Sequence, residues 1–424
     1  MSCSEARAIT RRAFFGGGAA SLALWSLMPR TAIAGTRDPR LLVVVLRGGL
    51  DGLAAVAPVG DPDYARLRGG IALPTAGEDA GLALDGFFAL NAAMPSLHAL
   101  YGKREALILH AVHTPYRARS HFDGQDVLES GLPGVGRIED GWLNRALLQL
   151  PSAGNANPRG LSIGAVVPLM MRGKAPALSW IPKVNGAPLR ESTIARLMDL
   201  YAETDPVLGK AFAEGMEISR VADAGAAAAP PSAPSQPNAQ PQAPAQAPPA
   251  ARVNREFTEA AEAAARFLST PEGPRIGVLS YNGWDTHANE GPLKGQLALR
   301  LGGLDAAIRA LSSGMGPAWK DTIVVAVTEF GRTARVNGTQ GTDHGMATVA
   351  FLVGGCVKGG RVLADWPGLR EAALYEGRDL APTRDLRAVL KGVLRDHLGI
   401  PDGALAASIF PDSASARPVD GLLA

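Results

Sequence analysis

LLVVVLRGGLDG (41–52) decides how this chain reads. An unbroken Val/Leu run passes into an arginine, two glycines and an aspartate. Such a run reads as a strand covered on both faces, the habit of parallel sheets. Four more runs repeat the pattern. ALILHAV (106–112) ends at His113 and leads to Ser120 and His121. RIGVLSY (275–281) leads to Asp285 and His287. TIVVAVT (322–328) ends at Glu329. TVAFLVGG (348–355) is preceded by Asp343 and His344. In open α/β sheets the ligand site lies beyond the carboxyl ends of the strands. Acids and histidines gathered there read as a metal-assisted active site rather than scattered surface charge.

Helical patterns separate the strands. They cover 89–103, 121–131, 140–150, 253–270, 292–313 and 383–398, and 191–220 reads as a helical pair broken near Asp205-Pro206. Residues 159–183 read as a short β excursion. The alternation predicts an α/β fold with a mostly parallel, doubly wound central sheet flanked by helices on both faces. Strands and site candidates lie on both sides of the Pro/Ala/Gln tract 224–252. That tract is therefore expected to be a disordered or polyproline-like insertion within one domain, 35–424, since long insertions cost little closure entropy. No strand is followed by G-x-G-x-x-G and no G-x-x-x-x-G-K-[ST] occurs, so nucleotide-cofactor readings lack their phosphate loops.

The first 34 residues read as a targeting segment. Thr10-Arg11-Arg12-Ala13-Phe14-Phe15 has the twin-arginine pattern. The apolar stretch Gly16–Met28 that follows is shorter than the roughly 20 residues needed to span a bilayer. Ala32-Ile33-Ala34 offers a small-x-small cleavage site, with Gly35 as the mature start. A periplasmic or secreted location is expected, with the twin-arginine export machinery as a partner and no stable membrane span. A net charge of +2 over 424 residues argues against a nucleic-acid partner. Cys3 leaves with the signal, so no intramolecular disulfide is expected in the mature chain and Cys356 reads as a buried structural thiol.

Asp51 lies between glycines, where a carboxylate at a strand end can hold a hard metal or form a plain Asp-Gly turn. Gly283-Trp284-Asp285-Thr286-His287 places an acid and a histidine two apart. In an extended segment both point the same way and can reach one metal, zinc or manganese by their donor types. Glu329 follows six apolar residues, with Arg332 nearby. Asp343 and His344 stand between glycines, able to serve metals or a proton transfer. Ser120, taken alone, reads as a helix N-cap. A hydroxyl at a helix N-terminus beside Arg117 and Arg119 is also where a phosphate or sulfate would settle. His113 and His121 fit loop or supporting positions equally well.

The ordered set of twin-arginine signal, R-G-G-x-D-G-L, R-S-H-F, G-W-D-T-H, T-E-F-G-R-T and D-H-G resembles the DUF1501 family. That family is grouped by similarity with the alkaline phosphatase and sulfatase superfamily. The resemblance implies a central sheet with one or two metals at the strand ends, and ester hydrolysis through a Ser, Thr or formylglycine nucleophile. By position, Asp51, Asp285, His287, Glu329, Asp343 and His344 resemble metal ligands, and Ser120 resembles the nucleophile. Arg119 and Arg332 would meet the charge on the transferred group. Phe330 stands where a histidine ligand would follow the strand-end acid, and Ser120 lacks Cys-x-Pro-x-Arg surroundings. The expected activity is an exported metal-dependent hydrolase of phosphate or sulfate esters using zinc or manganese, with calcium the alternative metal. The rival expectation is a non-catalytic exported binding or assembly protein that keeps the fold.

Overall fold

Strand β1 (Arg40–Arg47) lies inside the central sheet, hydrogen-bonded in parallel to β8 (Ile276–Asn282) on one side and β9 (Thr322–Val327) on the other. Its side chains alternate between two cores, as strand geometry requires. Leu42, Val44 and Leu46 enter one core, and Leu41, Val43 and Val45 the other. Each apolar side chain fully removed from water contributes roughly 1.5–3 kcal/mol. A two-sided strand is therefore apolar at every position, which is why it reads so clearly in sequence.

The computed structural model describes residues 37–136, 139–151, 160–164, 166–181, 194, 197–198, 200, 249–271 and 273–424. Pro39–Ala424 form one compact unit. The remaining sheet strands are β5 (Ala106–His113), β6 (Gly160–Ile163), β7 (Ala177–Trp180), β10 (Thr348–Val353), β11 (Arg361–Leu363) and β12 (Arg384–Asp385). Their order is β11-β5-β10-β9-β1-β8-β6-β7, with β12 also paired to β5. Within this sheet, among the described strands, only β10 runs antiparallel to its neighbours. The sheet is thus mixed and mostly parallel, with helices on both faces, as predicted. The excursion at 159–183 supplies β6 and β7, which extend the same sheet in parallel.

One face is covered by α3 (Pro95–Gly102), α6 (Pro249–Ser269) and α7 (Gln296–Gly314), through residues such as Leu97, Phe257, Phe267, Leu301 and Ile308. The other is covered by α5 (Trp142–Leu147) and α8 (Leu386–Leu398), through Leu143, Leu147, Val389 and Val393. The chain also forms α1 (Gly52–Ala55), α2 (Tyr64–Arg68) and α4 (His121–Ser130). α4 stops at Gly131, whose φ of 74° gives the left-handed C-cap.

The helix expected over 89–103 begins only at Pro95. Residues 89–90 instead form strand β4 (Ala89–Leu90), which joins β2 (Val56–Ala57) and β3 (Leu82–Ala83) in a small antiparallel sheet. The Asn91 side chain donates to the carbonyls of Ala54 and Pro292, so local helical spacing yields to a tertiary anchor. Helix α6 starts at Pro249 and takes in the last residues of the expected 224–252 insertion. The rest of that insertion, the expected signal 1–34 and nearly all of the expected helical pair 191–220 lie outside the described residues. Among the described residues no helix is long and apolar enough to cross a membrane.

Candidate metal centre

The loops after β1, β8 and β9 meet at the carboxyl ends of those strands. Gly48 makes the approach feasible. Its φ is +123°, and a Cβ there would stand 2.6 Å from the Asp285 backbone nitrogen. Trp284 donates through its backbone nitrogen to the Arg47 carbonyl (3.2 Å) and buries its ring, fixing the turn that carries Asp285.

Three histidines converge on one oxygen. Asp285 Oδ1 lies 3.4 Å from His121 Nε2, 3.0 Å from His287 Nε2 and 3.1 Å from His344 Nε2. The two nitrogens of His287 and His344 stand 3.0 Å apart. Ligand atoms of His121, Asp285 and His344 all fall within 4.8 Å of one another, the spacing of a metal site.

The opposite ring nitrogens decide the chemistry. His121 Nδ1 faces Glu329 Oε1 at 2.8 Å, His287 Nδ1 faces Asp343 Oδ1 at 3.0 Å, and His344 Nδ1 faces the Arg119 carbonyl at 2.9 Å. All three partners only accept. The network therefore assigns the single proton of each neutral imidazole to Nδ1. Each Nε2 then turns a lone pair toward a carboxylate oxygen. Lone pairs gathered at about 3 Å repel unless a cation lies among them, either protons on the rings or a metal ion. His121 Nε2 is buried and has no hydrogen-bond donor to satisfy it. The imidazoles of His121 and His344 with the Asp285 carboxylate could hold a divalent ion. The backing of each ring by an acceptor is the arrangement that orients metal-binding histidines.

Charge follows the same geometry. The His121 pKa is pushed up to about 9, first by Asp285 and then by Glu329. Burial works against ionisation of Asp285, yet the facing rings of His121 and His344, when protonated, and the Arg332 guanidinium hold its carboxyl far below the usual range. Arg332 is fully buried and donates Nη1 to Asp285 Oδ1 at 2.6 Å, while Nε reaches Thr342 Oγ1 at 3.2 Å.

The sequence-predicted residues fall into three groups. Asp285, His287 and His344 meet at the centre. Glu329 and Asp343 stand one hydrogen bond behind it, against His121 Nδ1 and His287 Nδ1. Glu329 is completely buried and also accepts from Gly48 N and Gln125 Nε2, at 2.9 and 3.1 Å. Burial opposes its ionisation, but His121 and these donors keep its pKa low.

Asp51 faces elsewhere. It caps α1, accepting from Leu53 N and Ala54 N, and pairs with the guanidinium of Arg68. Arg119 and Arg332 both pair with protein carboxylates. Arg119 has a φ of 61° and commits its guanidinium to Glu376 and Asp379, while its carbonyl serves His344. Arg332 is spent on Asp285. Ser120 begins α4 in an extended conformation, but its hydroxyl makes no capping bond. His121, not chosen as a ligand from sequence, completes the centre. Its only sequence signal is its place in Ser120-His121-Phe122 after β5. Phe330, which replaces an expected histidine, walls the cluster with its ring 4.8 Å from His121 and 5.1 Å from His344.

Residues 103–402 match the sequence profile of DUF1501, described as "Protein of unknown function (DUF1501)", and the chain belongs to that family. Among solved structures, three that are similar to it are these. A phosphonate monoester hydrolase of Agrobacterium radiobacter is 11% identical, with 86% of this chain and 74% of that one covered and a TM-score of 0.36. A protein in the alkaline phosphatase superfamily from Vibrio parahaemolyticus is 10% identical, with coverages of 78% and 63% and a TM-score of 0.35. The C-terminal periplasmic domain of EptC from Escherichia coli, solved in complex with zinc, is 10% identical, with coverages of 75% and 73% and a TM-score of 0.31. No curated protein sequence matches the chain.

Proposed function

We propose that this chain is an exported metal-dependent hydrolase of phosphate or sulfate esters. One observation carries the reading: three histidine Nε2 atoms, each backed by an acceptor on Nδ1, converge on Asp285 Oδ1. A divalent ion held there would act as a Lewis acid and lower the pKa of a hydroxyl or water.

The chain's own residues do the rest. Asp285, His121, His287 and His344 supply the donors. Glu329 and Asp343 hold two of the rings and their protons. Ser120 stands between Arg119, whose carbonyl anchors His344, and His121, so the backbone is pinned on both sides of its hydroxyl. That half-buried hydroxyl caps nothing and is the nucleophile in this reading. The partly exposed edges of Asp285 and His287, 42% and 44% accessible, form the face at which an anionic ester would enter. Export through the twin-arginine route is part of the proposal and rests on residues 10–34 of the sequence.

A second reading has one observation in its favour. Arg119 and Arg332 are both committed to protein carboxylates, as a non-catalytic binding protein with the same centre would tolerate. The deciding experiment is metal analysis of the mature protein purified without chelator, followed by a panel of phosphate monoesters, diesters, phosphonates and sulfate esters. Metal-dependent turnover that disappears in His344→Ala supports the hydrolase. Full metal occupancy with no turnover on any ester supports the binding protein.

A further inference from the structure

A second concentration of buried charge lies beside the centre. Asp51, Arg68 and Glu290 are 1%, 0% and 0% exposed. The Arg68 guanidinium contacts Asp51 Oδ2 and stands 4.0 Å from Glu290 Oε1, and the Glu290 carboxyl is hydrogen-bonded to Asp51. The other terminal nitrogen of Arg68 donates to the Thr333 carbonyl at 3.2 Å. Burial and then the Asp51 charge push the Glu290 carboxyl well above its ordinary range, so Asp51 is the carboxylate paired with Arg68 and Glu290 the protonated acid beside it. Taking either acid out of water without a counter-charge would cost several kcal/mol.

The pocket is wired to the centre. Glu290 Oε2 accepts from Thr342 Oγ1 at 2.9 Å, Thr342 Oγ1 accepts from Arg332 Nε at 3.2 Å, and Arg332 Nη1 donates to Asp285 at 2.6 Å. Two buried acids in hydrogen-bond contact, once both are ionised, are the raw material of a divalent-cation site. A guanidinium carries only donors and has no lone pair to give a metal. While Arg68 stays, Asp51 and Glu290 cannot close on an ion.

We propose that the centre holds one metal ion per chain, on His121, His287, His344 and Asp285, and that Arg68 takes the place of a second ion at Asp51 and Glu290. This rests on the metal-centre reading above. It makes Arg68 a fixed internal cation, present before any metal arrives. Through Glu290, Thr342 and Arg332 it also steadies the carboxylate of Asp285.

The test is to strip the full-length mature protein of metal, titrate it with zinc alone and count bound zinc by mass spectrometry. Wild type is expected to bind one equivalent, and Asp51→Asn, which keeps the helix cap, also one. Arg68→Met, which removes the guanidinium at similar length, is expected to gain a second equivalent. Two equivalents in wild type, falling to one in Asp51→Asn, would overturn the inference while leaving the metal centre standing. A folded Arg68→Met that still binds one would overturn the role given to Arg68. If Arg68→Met does not fold, Arg68→Gln is counted in its place, and one equivalent there overturns the role given to Arg68. No tight zinc in wild type would overturn both this inference and the metal-centre reading, and so separates the two failures.

Discussion

Glu329 Oε1 lies 2.8 Å from His121 Nδ1 and receives two further donors, Gly48 N and Gln125 Nε2. A fully buried carboxylate so placed orients the ring rather than binding a metal itself. Glu329→Gln should keep the shape while removing the charge and the fixed tautomer. Metal affinity should fall about 10- to 100-fold, the usual effect of losing a group behind a metal-binding histidine. Competition against a chelator of known affinity measures it. Unchanged affinity would return Glu329 to a purely structural role.

Ser120 makes no cap bond, so Ser120→Ala should leave thermal stability nearly unchanged. Ester turnover in the metal-loaded protein should drop by at least about a thousandfold, as when a covalent nucleophile is removed. Metal content should not change. Retained turnover would assign the attack to a water molecule instead.

Proton and metal compete for the same nitrogens. In the metal-free fold the His121 pKa is raised from 6.5 to about 9. A raised histidine contributes its full stabilisation below the unfolded value and loses it as pH rises through the folded one. Melting temperature in chelator should therefore fall between about pH 6.5 and 9. Asp285 acts in the opposite sense: its lowered pKa gives stability above the unfolded value, 3.8, that is lost as pH falls. With zinc present, affinity should rise over the same alkaline window because the ligands must be deprotonated. A flat chelator series from about pH 6.5 to 9 would count against the three-histidine cluster.

Gly48 has a φ of +123° and no room for a methyl group, since a Cβ would meet Asp285 N at 2.6 Å. Gly48→Ala should lose about 1–3 kcal/mol of stability through backbone strain. It should also displace Asp285 and weaken metal binding. Denaturant titration and zinc affinity report the two effects separately. A stability loss without any change in affinity would show that the 284–285 turn is held independently of Gly48.

Much of this protein was legible in the chain alone. Strands buried on both faces must be apolar at every position, so β1, β5, β8, β9 and β10 stood out, and with them the α/β fold and the strand-end loops that carry Asp285, His287 and His344. Local periodicity could not show that Ala89–Leu90 would pair with Val56–Ala57, because that choice depends on a partner strand and on Asn91 reaching Ala54 and Pro292.

Residue type and spacing nominate acids and histidines but do not say which atom faces which. Only tertiary packing brought His121 across from the start of α4 to Asp285. The same packing set Glu329 and Asp343 behind their histidines and turned Asp51 toward Arg68, a residue that no motif singles out. The physical reason is that ligand and support differ by one bond length and one ring nitrogen. Those are distances between segments remote in sequence, decided by how the strand-end loops close on each other.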